Sequence, residues 1–339
     1  MILGLCGWWT SALAESLRIA TYNTELQRDG PGLLYRDLLK GSDPQINAVI
    51  AVIAKADADI LLIQGFDYDL DNRALAAFAE LAGYSHFYAS RPNTGIVTDH
   101  DMDLDGRLRG PRDAQSYGEF AGQAGMALLS RFPIRANDAH DFSDLLWKDL
   151  PDALLPVHGG QPFPSPEALA IQRLSNIGHW VLPVEVPALG QLHVLGFHAT
   201  PPVFDGPEDR NGKRNHDEIR FWSLYLDGHF DGAVPERFVV LGDANNDPEQ
   251  GEGIKDAING LLNDPRLQDP KPLGAAGTAT VDWTDIDVGK YRVDYVLPSA
   301  DLSVKDSGVL WPAPGAAFAE TVETASRHRV VWVDIDIPD

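Results

Sequence analysis

The chain has 339 residues, 44% of them hydrophobic, with 31 Gly and 24 Pro, a composition that suits one large, loop-rich α/β domain. Its 50 acidic against 27 basic side chains leave a net charge of -23, which disfavours long DNA or RNA as a partner because such binding needs a basic face. No apolar run reaches the ~18 residues of a membrane-spanning helix.

In chain order, residues 2–14 are uncharged and mostly apolar and end in Ala12-Leu13-Ala14, a small-x-small pattern that reads as an export signal with a mature start near Glu15. The competing reading is a buried first strand. Cys6 is the only cysteine, so cleavage after Ala14 removes it and with it disulfides, zinc-thiolate sites and a cysteine nucleophile. That usage fits a secreted or periplasmic protein.

Leu17 to Asn23 reads as a strand, residues 45–57 as an amphipathic helix (Ile46, Val49, Ile50, Ile53), and Asp59 to Ile63 as a second strand ending in Gln64-Gly65. A helix at 72–82 and a strand at Tyr84–Ala89 follow. Residues 91–123 form a long polar loop, and loops of that length tend to be functional. Further strands are expected at 125–130, His179–Val186, Leu192–His198, Phe238–Leu241, Tyr291–Leu297 and Val330–Ile337. Irregular stretches are expected at 137–176 and 201–217, and helices near Asp217–Asp227 and 252–262. Strands come both in adjacent runs and alternating with helices, a pattern of two packed sheets flanked by helices rather than one parallel sheet.

Chemistry-bearing residues gather where these strands end. Asp243 and Asn245 stand two apart after an apolar strand, so period-two geometry places them on one side of the backbone. A plain turn uses the same residue types. The ordered set Ala20–Asn23, Asp59–Gln64, Gly125–Pro133, Gly196–His198, Gly242–Asn245, Arg292–Val296 and Ser326–Arg329 resembles the endonuclease/exonuclease/phosphatase superfamily over most of residues 17–337. The resemblance implies a four-layer α/β/β/α sandwich of two mixed β-sheets flanked by helices, spanning residues 15–339 as one catalytic domain.

It also implies roles. His328 matches a histidine that acts on the nucleophilic water or a developing oxyanion, and Asp294 the aspartate that orients it. Asp243 matches the residue that orients the water, Asn245 and Asn23 match phosphate or metal contacts, and His198 matches a second, charge-stabilising histidine. Two positions depart from the pattern. Gly65 stands where relatives carry a metal-binding Glu, and Arg327 where they carry an Asp. Glu25 and Asp67 are candidate replacement ligands, with Asp243, for a catalytic Mg, Mn or Ca ion. Arg327 is a candidate for direct neutralisation of phosphoryl charge.

Two further clusters stand outside the resemblance. Asp101-x-Asp103-x-Asp105-Gly106 has the alternating acids and turn glycine of a calcium loop, with Asp113 standing in for the missing acid near its end; an ordinary solvated loop is the alternative. Arg210, Lys213 and Arg214 are the densest local positive charge and candidate phosphate contacts. Together these features predict an exported, metal-dependent phosphoesterase acting on a small phosphodiester or phosphomonoester. The alternatives are an extracellular nuclease and an inactive binding or scaffold relative.

Overall fold

The computed structural model describes residues 16–337. The expected signal segment 1–14, with Cys6, lies outside the described residues. The strands are β1 Ser16–Asn23, β2 Ile60–Phe66, β3 His86–Tyr88, β4 Gly125–Ser130, β5 His140–Asp141, β6 Val157–His158, β7 Gln161–Pro162, β8 His179–Val186, β9 Gly190–His198, β10 Phe238–Asp243, β11 Val281–Asp282, β12 Lys290–Tyr291, β13 Asp294–Pro298, β14 Val304–Val309 and β15 Val331–Asp336. The helices are α1 Leu33–Lys40, α2 Pro44–Ala56, α3 Arg73–Ala82, α4 Pro166–Ile171, α5 Arg210–Leu226, α6 Asp256–Leu262 and α7 Ala319–Ala325.

Six strands form one sheet in the order β14-β15-β1-β2-β4-β3, and five form another in the order β13-β10-β9-β8-β5. Each is mixed, with a single parallel pair at its heart: β1 with β2, and β9 with β10. Strand alternation sorts the side chains into three hydrophobic layers. On the six-stranded sheet, Ala20, Tyr22, Leu61 and Ile63 face outward to meet Leu34, Val49, Phe78 and Val322 from α1, α2, α3 and α7. The residues between them in sequence, Leu17, Ile19, Ile60 and Leu62, face inward against Leu182, Val194, Leu241 and Val296 of the other sheet. That sheet's outer face, with Val181, Phe197, Val240 and Leu297, is covered by Ile219 and Trp222 of α5 and Ile258 of α6. The result is the expected α/β/β/α sandwich.

Local structure departs from the sequence expectation in two places that matter for the site. α5 begins at Arg210 rather than near Asp217, so the first turns of a buried helix replace the latter part of the expected 201–217 loop. The stretch expected as one strand at Tyr291–Leu297 is split, because Arg292 and Val293 leave the ladder between β12 and β13.

Gly242 lets β9 and β10 come together just before the site. Its φ is 149°, and a Cβ there would lie 1.9 Å from the Phe197 carbonyl oxygen. We expect Gly242→Ala to force these strands apart at a cost of about 2 kcal/mol or more, since neither backbone can yield without breaking the ladder. Urea unfolding measures this; a variant within about 0.5 kcal/mol of the parent, the scatter of ordinary surface changes, contradicts it.

Candidate active site

Strand register assembles the site. Asp243 at the end of β10 pairs with Asp294 of β13 on one side and with His198 of β9 on the other. All three continue the inward-facing parity of Val239, Leu241, Val194 and Val296, so they point between the sheets where the hydrocarbon ends. Asn23 continues the same parity from Leu17 and Ile19 on β1 across the gap. Its Nδ2 donates to Asp243 Oδ2 at 2.9 Å, joining the two sheets through polar atoms.

Asp243 is the hub. Its Oδ2 lies 3.4 Å from His198 Nε2 and 3.9 Å from His328 Nδ1. Its Oδ1 accepts the N–H of Asn245 at 2.8 Å, and Asn245 Nδ2 donates to the Ala199 carbonyl at 3.0 Å. His328 Nδ1 lies 2.9 Å from Asp294 Oδ2. Asp243 and Asp294 have no solvent exposure, while Asn23, His198 and Asn245 keep 7–8%, so access to the group is narrow and comes from their side.

Burial and charge set the protonation states. Burial works against the His328 imidazolium, but the Asp294 and Asp243 carboxylates, the hydrogen bond to Asp294 and the charge of Glu25 outweigh it and push His328 up to about 9. Burial and the His328 charge hold His198 below the ordinary histidine range, against the pull of Asp243. Burial and the Asp294 charge raise Asp243, partly offset by His328, His198 and the Asn23 hydrogen bond. At neutral pH the site therefore holds one cationic and one neutral imidazole around a carboxylate that is more basic than usual.

Three further residues support the site without having been given a role from the sequence, although Ser326 opens the Ser326–Arg329 motif. Thr280 Oγ1 accepts the N–H groups of Val293 and Asp294, each at 3.0 Å, and so fixes the start of β13. Ser326 Oγ lies 2.8 Å from the Asn23 carbonyl oxygen and accepts the His328 N–H at 3.1 Å. The Trp283 ring meets the His328 ring edge-on at 5.7 Å.

Several expected ligands lie elsewhere or are already engaged. Glu25 Oε1 receives Arg327 Nε at 2.9 Å and Nη2 at 2.6 Å, and Glu25 Oε2 receives the Arg327 N–H at 2.7 Å. Asp67 turns its two oxygens to the N–H groups of Arg28 and Ala124, at 2.9 and 3.0 Å, and joins no carboxylate cluster. Burial raises Asp67 to about 6, which weakens it further as a ligand for a hard cation. Neither residue fits as the replacement metal ligand. Asp243, Asp294 and His328 do bring ligand atoms within 4.8 Å of one another, and Asp294 Oδ1 is buried without a hydrogen-bond partner. The two carboxylates offer oxygens that suit a small divalent cation, whereas His328, cationic at neutral pH with Nδ1 committed to Asp294, is not a ligand in that state.

The expected phosphate cations on α5 are also directed elsewhere. Arg214 is buried and donates to the Leu174, Arg173 and Ser175 carbonyls. Arg210 reaches the Met102 carbonyl and Gln172 Oε1, and Lys213 Nζ bonds the Glu208 carbonyl at 2.6 Å. Arg210 and Arg214 anchor the long loops 91–123 and 137–176 to the helix, while Lys213 holds the segment just before it. In the acidic loop, Asp101, Asp103 and Asp105 converge within 4.8 Å. Asp113 does not join them, because its oxygens accept the Met102 and Gly110 N–H groups at 2.9 and 2.8 Å.

The chain is thus a two-sheet sandwich with an Asp–His pair and a carboxylate–amide pair at the strand ends. The family model described as the Endonuclease/Exonuclease/phosphatase family matches residues 20–328, and the chain belongs to that family. Among solved structures it is similar to an endonuclease/exonuclease/phosphatase from Beutenbergia cavernae, with TM-score 0.55 and 19% identity over 95% of this chain and 72% of that one. It is similar to beta toxin from Staphylococcus aureus with bound magnesium ions, at TM-score 0.53 and 14% identity over 94% and 99%. It is also similar to the human nocturnin catalytic domain with bound sulfate, at TM-score 0.52 and 14% identity over 96% of each chain. Comparison with curated proteins finds no match.

The Asp294–His328 pair gives a direct test. Asp294→Asn should lower the His328 titration by at least about one unit, because an opposite charge at hydrogen-bond distance is worth one to three. An NMR titration of the imidazole reads it. The folded-state value near 9 exceeds the ordinary 6.5, so the stability this pair contributes is full below pH 6.5 and disappears as pH rises through 9. The gap in unfolding free energy between the parent and Asp294→Asn should close over that window; a pH-independent gap contradicts the assignment.

Proposed function

We propose that this chain is an exported phosphoric ester hydrolase that cleaves small phosphodiesters or phosphomonoesters with the help of a divalent cation. The observation that carries the reading is the Asp243 hub, which gathers Asn23, His198, Asn245 and His328 at one partly open point between the sheets. A water held by Asp243 and Asn245 attacks phosphorus in line. Its proton passes to Asp243, whose raised basicity suits that task. As the bond to the leaving oxygen breaks, the electron pair goes to that oxygen, which takes a proton from solvent, while negative charge is also spread over the phosphoryl oxygens in the transition state. The His328 imidazolium, held by Asp294, and the polar edge of His198 stabilise that charge.

Asp243 and Asp294 are the residues that would hold Mg, Mn or Ca, which would supply charge neutralisation for the phosphoryl group. The magnesium of the beta toxin structure and the sulfate of the nocturnin structure, each in a protein of similar fold, support a site for a cation and a tetrahedral anion. The net charge of -23 supports a small substrate over a polymer. Export rests on the uncharged apolar sequence of residues 2–14.

A chromogenic bis-ester, a chromogenic mono-ester and plasmid DNA, each with Mg, Mn, Ca or EDTA, test this reading. We expect turnover of a small ester, loss of rate in EDTA, and no comparable cleavage of DNA. His328→Gln should lower kcat by roughly 10²- to 10⁴-fold while the protein stays folded, as expected for loss of a positioned acid or base. The parent rate should decline on the alkaline side near pH 9, where His328 loses its charge. Absence of turnover with every metal and every ester, or an unchanged His328→Gln rate, removes the hydrolase reading.

A further inference from the structure

Arg327 is held unlike an ordinary surface arginine. Nε and Nη2 grip Glu25 Oε1 at 2.9 and 2.6 Å, and the residue's own N–H bonds Glu25 Oε2 at 2.7 Å. Ser326 Oγ stands 3.1 Å from that second oxygen and 2.8 Å from the Asn23 carbonyl oxygen, and accepts the His328 N–H. The guanidinium plane is thereby locked to Glu25, in the segment that also carries Asn23, one residue before His328. Its Nη1 edge makes no hydrogen bond among the described residues. The nearest acid to it is Asp285 at 3.8 Å, and 42% of the Arg327 side chain is exposed.

The backbone beside it leaves no place for a carboxylate from β2. Gly65 has φ 66°, and a Cβ there would stand 2.5 Å from Asn23 Oδ1 and 2.9 Å from Glu25 N. The residues after Asn23 have closed into the space a side chain at 65 would need. What the corner offers in its place is a preoriented cation with an open edge, one residue from His328. A planar guanidinium edge matches the spacing of phosphoryl oxygens, and a carboxylate behind it holds its orientation at little entropic cost on binding.

We propose that Arg327, oriented by Glu25, binds a non-bridging phosphoryl oxygen through Nη1, so that this chain retains a tetrahedral oxyanion without any divalent ion. The proposal rests on the phosphoester reading for the identity of its ligand. It assigns Glu25 to positioning Arg327 rather than to holding a metal.

Calorimetric titration with inorganic phosphate in EDTA at pH 7 tests it. The parent protein should bind, and Arg327→Gln should weaken binding roughly tenfold or more, as loss of a charge-assisted hydrogen bond does. Arg327→Lys should fail to restore it, because a point charge does not keep the fork. The Arg327 Nε–H resonance should shift on phosphate addition. Because Arg327→Gln leaves the partly buried Glu25 without its cation, Glu25→Gln/Arg327→Gln serves as the folded control and should show the same loss. Phosphate binding by the parent only when Mg is added, no binding at all, or equal affinity in the double variant overturns the assignment. The hydrolase reading stands or falls separately on ester turnover: Arg327-dependent binding without turnover removes that reading alone, and turnover with Arg327-independent binding removes this one alone.

Discussion

Burying the Asp243 carboxylate between two sheets is the constraint around which the rest of the site is organised. A buried carboxylate without partners is costly, and cationic or donor groups must reach it for the charge to persist. Here they come from four separate strands and loops: Asn23 from β1, His198 from β9, Asn245 from the turn after β10, and His328 from the segment before β15. The Asn23 and His328 contacts exist only because the two sheets are stacked as observed, while those of His198 and Asn245 come from the sheet and turn of Asp243 itself. The inter-sheet hydrocarbon and the polar site are therefore one continuous stripe, with Leu241 and Asp243 as neighbours on the same strand face.

The same logic places the second carboxylate. Asp294 faces Asp243 across the β10–β13 ladder, so two like charges lie side by side with no exposure. Like charges directly opposite on a sheet are destabilising. His328, raised well above its ordinary titration range, is the cation that makes the pair tolerable. Its functional protonation state and the integrity of the strand ends are thus consequences of one arrangement, which explains why Thr280 and Ser326 are committed to holding its neighbours in place.

Much of this was legible in the sequence because the site residues occupy ends of strongly apolar strands, where position within the strand dictates side-chain direction. Asn23, His198, Asp243 and Asp294 could be placed from that alternation and from ordered motifs. What misled was polarity in the wrong context. Arg210, Lys213 and Arg214 resembled an exposed basic loop because the first half of α5 is rich in Asn, Gly, Lys, Arg and His. In the fold, Arg214, Asn215, Asp217 and Glu218 are buried polar residues on a helix whose work is to satisfy loop carbonyls and amides. Asp67 and Asp113 misled in the same way: each is a carboxylate committed to two backbone N–H groups, a role invisible without the loop conformations. Spacing reveals which residues share a face, but not which backbone donors a neighbouring segment leaves open.

The Glu25–Arg327 pair shows how a substitution pattern becomes interpretable only through geometry. Read along the chain, Gly65 and Arg327 look like two losses of acidic function. In space they adjoin a single rearrangement: the strand after Asn23 fills the room a side chain at 65 would occupy, Glu25 adopts a left-handed conformation with φ 48°, and its carboxylate meets the guanidinium. A charge-neutral pair thus sits at a corner that two acids would otherwise have made strongly negative. Burial of Glu25 opposes its charge, yet Arg327 and the nearby His328 cation hold it below the usual carboxylate range, so the pair is ionised at neutral pH. Gly65 and Arg327 are thus parts of one arrangement, since the Glu25 carboxylate in its largely buried position relies on the guanidinium as its cation.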